Sequence, residues 1–146
     1  MNDDERMNIV KAFPPNYAKV RKAFPEIRGR QIVFCWGNKI YNPSGGEVME
    51  HIVVHEMVHR KQQGDKIEEW WDKYLADKQF RFDQELEAYA TQYAFAKPLL
   101  NTKGIALFLG VIATDLSGSM YGNLVPYEKA ATMIRHKADT LSPTSK

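Results

Sequence analysis

His55-Glu56-Met57-Val58-His59 places two imidazoles four residues apart with a carboxylate between them. One turn of an α-helix takes about 3.6 residues, so on a helix His55 and His59 leave the same face and can reach one metal ion, with Glu56 beside them to carry a proton. The flanks bear on whether the stretch is helical. Ser44-Gly45-Gly46-Glu47 has the form of a capping box, in which a serine hydroxyl and a glutamate satisfy the free N–H groups of a first turn, and Gly64 supplies a stop. These signals predict a helix near 45 to 63. Through its middle, Ile52, Val53, Val54, Met57 and Val58 leave no broad polar face, the pattern of a helix buried on most sides. Buried His and Glu side chains without partners cost about a few kcal/mol each, and a metal satisfies all three together.

A catalytic zinc site takes three protein ligands and keeps a further position for water. The stretch 80 to 97 offers the third ligand. Within Arg81-Phe82-Asp83-Gln84-Glu85-Leu86-Glu87-Ala88-Tyr89-Ala90-Thr91-Gln92-Tyr93, the positions Phe82, Leu86, Tyr89 and Tyr93 recur at helical spacing. Glu85 and Glu87 lie about 200° apart around such a helix, so only one of them faces the metal, and spacing alone does not choose between them.

The motif at 55 to 59, followed by Glu85-Leu86-Glu87-Ala88-Tyr89, resembles the gluzincin metallopeptidases, most closely the small metallopeptidases encoded by bacteria and bacteriophages, over about 30 to 95. In related gluzincins the third ligand begins a Glu-x-x-Ala-Asp stretch, which implies Glu85; a thermolysin-like alignment, with alanine directly after the ligand, implies Glu87. Tyr89 stands where the family carries an aspartate that orients a ligand histidine. The resemblance implies an α+β, zincin-like fold: a small, mostly antiparallel sheet or hairpin packed on a buried active-site helix, with additional C-terminal helices. It implies one Zn2+ per chain on His55, His59 and Glu85, and hydrolysis of a peptide or protein substrate with Glu56 as general base. It also implies that the strand region 31 to 42 lines the cleft, where strand addition to an open edge would hold an extended peptide. The other reading is a catalytically inactive, zinc-stabilised structural or assembly protein. The departure at Tyr89 keeps it open, whereas an intact Glu56 argues against it, since a structural site needs no base and usually closes its fourth position.

Composition sets bounds around this reading. The 146 residues, 44% of them hydrophobic, suffice for a single domain over 1 to 146 with a sizeable core, and no linker-like stretch divides them. Twenty Lys and Arg are mixed with eighteen Asp and Glu for a formal net charge of +2, so neither a nucleic-acid stripe nor a polybasic membrane anchor is expected. Asn2-Asp3-Asp4-Glu5 lacks the basic start of a secretory signal, and no stretch reaches the ~20 apolar residues of a membrane span. The expected location is the cytoplasm, that of a bacterial host if the chain is phage-encoded. Cys35, the single cysteine, forbids an internal disulfide and fits a reducing compartment.

The remaining signals order the elements. Met7 to Phe13 reads as a short strand or extended arm before Pro14-Pro15, and Asn16 as the cap of a helix through Phe24. Two strand-like runs, Gln31 to Trp36 and Lys39 to Asn42, flank Gly37-Asn38, which suits a tight hairpin. Asp65 with Glu68 signals a helix whose Trp70, Trp71, Tyr74 and Leu75 form a packing stripe. A helix is expected from Lys103 to Leu116, its apolar run broken by Thr114 and Asp115, and a last helix starts near Pro126. The loop between them carries Tyr121, the first candidate donor to a developing oxyanion, with His136, Tyr89 and Tyr93 as alternatives. Gln62 either steadies the site or ends in solvent. His51, a turn before His55, is about 6 Å further along the axis, too far to share the ion easily.

Overall fold

A computed structural model describes residues 8–27 and 31–141; Asn2 to Glu5, and Met7 at the start of the expected arm, lie outside the described residues. Among the described residues the chain is α+β and mostly helical, with six α-helices and one three-stranded sheet. It divides into two compact units, Met1–Leu75 and Ala76–Lys146.

The first unit holds β1 (Asn8–Val10), α1 (Tyr17–Ala23), β2 (Phe34–Trp36), β3 (Lys39–Tyr41), α2 (Glu50–Gln63) and most of α3 (Ile67–Ala76). β2 and β3 form the expected hairpin, pairing Cys35 with Ile40 and Trp36 with Lys39 across Gly37-Asn38. Gly37 takes φ +61°, a conformation that a side chain disfavours and a two-residue turn requires. The sheet is nevertheless mixed rather than mostly antiparallel. β1 joins β3 in parallel, giving the order β1-β3-β2, and α1 lies in the crossover that a parallel neighbour demands. Alternation along the strands puts Cys35 and Ile40 on one face, where they are almost fully buried with Val33 and with Val53 and Met57 of α2.

α2 begins at Glu50, later than the expected 45, because the apparent capping box is used otherwise. The Ser44 hydroxyl donates to Asn42 Oδ1 at 3.1 Å, Asn42 Nδ2 donates to the Gly46 carbonyl at 2.6 Å, and the Gly45 N–H reaches the Asn42 carbonyl at 3.0 Å. Asn42 thus closes a turn over 42 to 46, with Gly45 at φ +77°, and Met49 takes the N-cap position without a side-chain bond. Gly64 ends the helix as expected, its N–H bonding to the Arg60 carbonyl. Two other expected caps do not form. Asn16 precedes α1 without a side-chain cap bond, its buried amide atoms making no hydrogen bond. In α3 the Trp70 N–H bonds to the Lys66 carbonyl, so the helix starts after Lys66 rather than at Asp65.

The second unit packs α4 (Lys78–Ala96), α5 (Thr102–Leu116) and α6 (Tyr127–Thr140) around Phe82, Tyr89, Tyr93, Ile112, Leu116 and Ile134. Asp77 caps α4, accepting the N–H groups of Gln79 and Phe80 at 3.0 Å each, and Asn101 caps α5 through Gly104. α5 buries Ile112, Ala113 and Leu116 while Leu107 and Val111 face outward. No described helix is long and apolar enough to cross a membrane.

Candidate metal centre

No residue of α2 between His51 and Arg60 is exposed, as the apolar middle of the motif predicts, yet the buried ones are mainly polar: His55, Glu56, His59 and Gln63, with Val58. Ile52, Val53, Val54 and Met57 are only half-buried. Burying polar groups ahead of aliphatic ones costs stability unless they have partners.

The His55 and His59 rings lie 4.9 Å apart, nearly perpendicular, and Glu56 Oε2 is 3.9 Å from His55 Nε2. His59 Nδ1 is 2.8 Å from Gln62 Oε1. An amide oxygen only accepts, so Nδ1 is the donor in this contact, and Nε2 is the ring nitrogen left to face other partners. Gln62 is thus bonded to the His59 ring and is half-buried. Trp70 lies 5.3 Å from the His59 ring and stacks on Tyr74, so this tryptophan of the packing stripe also walls the site. His51 is half-buried; burial first, and then the charge of His55, lower its pKa below the usual 6.5.

Gln63, 2% exposed, ties the motif helix to the hairpin. Its Oε1 accepts the Gly37 N–H at 2.8 Å, and its Nε2 donates to the Cys35 carbonyl at 2.9 Å. The indole N–H of Trp71 donates to the same carbonyl at 3.0 Å. This bears on the expectation that 31 to 42 receives an extended peptide. β3 is the central strand with both edges paired, and on β2 the Cys35 carbonyl is already occupied by two side chains. The Cys35 thiol lies buried alongside; burial above all, and then the Glu56 carboxylate, push its pKa far up, against a smaller opposing effect of Arg60.

In the second unit Glu85 is 4% exposed, on the α4 stripe with Phe82, Tyr89, Gln92 and Ala96. Asp77 starts that helix, and the recurrence of apolar residues at three- and four-residue intervals turns the stripe inward. Tyr89, where the resembling family has aspartate, places its hydroxyl 3.4 Å from that of Tyr121. Burial chiefly, followed by Tyr121, Glu85 and Asp115, raises the Tyr89 pKa well above 10, so its phenol stays protonated. Tyr121 is buried at the end of a 3₁₀ turn, Ser119–Tyr121, which Arg81 fastens to α4 through the Met120 carbonyl. His136 is exposed on α6, and Tyr93 belongs to the helical core.

Among the described residues, one set of His, Cys, Asp or Glu side chains could hold a metal ion: His55, His59 and Glu85, all buried, each offering one ligand atom, with these atoms within 4.8 Å of one another. Glu87, half-buried, is not in the set. Sequence reading passed over Gln63 and the Trp70 contact; the i to i+3 spacing of His59 and Gln62 was the one local signal for the hydrogen bond between them. No protein-family profile matches the chain, and neither a curated protein nor a solved structure does.

Proposed function

We propose that this chain is a zinc-dependent peptidase of the gluzincin type, with His55, His59 and Glu85 as metal ligands and Glu56 as general base. The observation that carries the reading is the set of two buried imidazoles and one buried carboxylate within mutual reach, with a second carboxylate, Glu56, beside it and outside the set. The donors fit zinc: two nitrogens and one oxygen suit a borderline cation, and three protein ligands leave a position open. Zinc bound there supplies Lewis acidity, lowering the pKa of a water toward about 7 and polarising a carbonyl.

The chain's own residues do the rest. Glu56 takes the proton of the attacking water on a carboxylate oxygen and returns it to the leaving amine. Gln62 holds His59 in the productive tautomer. Tyr121 is the proposed donor to the developing oxyanion, its phenol poised beside that of Tyr89.

The test is metal content of the purified chain beside two variants. Near-stoichiometric zinc is expected in the wild type and in Glu56→Gln, and its loss in His55→Ala; peptide cleavage is expected only in the wild type. A chain that takes no metal after reconstitution would refute the reading. Zinc without turnover on any peptide would move the chain to the other class, a metal-stabilised structural protein.

A further inference from the structure

The hairpin has a second face, opposite the one that packs on α2. Alternation puts Trp36, Lys39 and Tyr41 opposite Cys35 and Ile40, and cross-strand pairing sets Trp36 directly beside Lys39. With Arg60 and Lys61 from the last turn of α2 and Ile67 at the start of α3, these residues line a cavity of about 630 Å3 in the first unit. That volume is in the range of small-molecule sites, about 300–1,000 Å3. Three of the ten lining residues are cationic and none is acidic. The side chains of Lys39, Arg60 and Lys61 make no hydrogen bond or ion pair among the described residues. A helix C-terminus favours nearby cations, which accounts for Arg60 and Lys61 but neither for Lys39 on the strand nor for the two rings.

Uncompensated cations around one concavity raise its potential and draw an anion. The guanidinium of Arg60 offers the forked donors that suit phosphate oxygens, and Trp36 and Tyr41 offer faces on which a planar ring can stack. A single carboxylate would leave two of the three cations unmatched, whereas a phosphate monoester carries about −1.5 to −2 near neutral pH. We propose that this cavity binds a phosphate monoester joined to a planar ring, the chemical class of aryl and nucleoside monophosphates. The site is separate from the proposed zinc ligands and does not depend on that reading.

Calorimetric titration of the full chain with adenosine monophosphate, phenyl phosphate, inorganic phosphate and adenosine tests it. Saturable binding of both ring phosphates is expected, at least about tenfold tighter than that of inorganic phosphate or adenosine alone, because charge and stacking both contribute. Lys39→Ala combined with Lys61→Ala, both exposed positions, should weaken adenosine monophosphate at least about tenfold with an unchanged far-ultraviolet spectrum. Trp36→Leu should bring it down to the level of inorganic phosphate, while His55→Ala should leave it intact. The proposal is overturned if adenosine monophosphate does not saturate, if inorganic phosphate binds equally well, if the lysine variant binds unchanged, or if His55→Ala abolishes binding.

Discussion

The hydrogen bond between His59 Nδ1 and Gln62 Oε1 decides which ring nitrogen stays free for a metal. Replacing Gln62 by Leu removes that constraint without touching a ligand, and outer partners of ligand histidines typically contribute about 10- to 100-fold in metal affinity. Gln62→Leu is therefore expected to weaken zinc by that factor in competition with a chromophoric chelator, and Gln62→Glu to retain most of it; unchanged affinity in the Leu variant would show that Gln62 only fills space. Cys35 provides a second prediction at this scale. Its folded-state pKa lies above the unfolded value of about 8.5, so the folded state holds the proton more tightly. The resulting stability is fully present below about pH 8.5 and is lost as pH rises beyond it. Urea midpoints should fall more steeply between pH 8 and pH 10 in the wild type than in Cys35→Ala, and equal slopes in the two proteins would contradict the burial argument.

Beside the apolar packing of α2 on the hairpin, one side chain, that of Gln63, hydrogen-bonds the helix to it twice. Gln63→Ala leaves the Gly37 N–H without its acceptor and the Cys35 carbonyl with only the Trp71 indole, which should cost about 2–3 kcal/mol in urea denaturation. A loss within about 0.5 kcal/mol would mean that water or Trp71 alone satisfies the turn. The elements themselves were unequally legible. Gly37-Asn38 between two β-rich runs specifies its hairpin locally, and the apolar period of 82 to 93 specifies α4. Ser44 to Glu47 matched a capping pattern, but Asn42, just outside that window, took the serine hydroxyl and moved the start of α2 to Glu50. β1 was readable as an extended stretch; its parallel pairing with β3 was not, because residues on either side of a crossover leave no mutual signature.

At the scale of the whole molecule, a metal that binds only the folded chain on the proposed ligands shifts the unfolding equilibrium toward that state. Binding of this kind contributes RT ln(1 + [L]/Kd), about 4 kcal/mol at a thousandfold excess over Kd. The thermal midpoint should rise with added zinc and fall with chelator, and Glu85→Ala should respond to neither; the same zinc response in Glu85→Ala would remove Glu85 from the ligand set. What the sequence determined by itself is what a few consecutive residues can encode: the helix that puts His55, Glu56 and His59 together, the hairpin before it, and the helical stripe carrying Glu85. The tertiary structure decided which glutamate is buried, Glu85 at 4% exposure rather than the half-buried Glu87, and which glutamines bond inward. The reason is physical. Helical period and turn chemistry act over one or two turns of chain, whereas burial of a carboxylate and the partner of a side-chain amide depend on residues that only folding brings near.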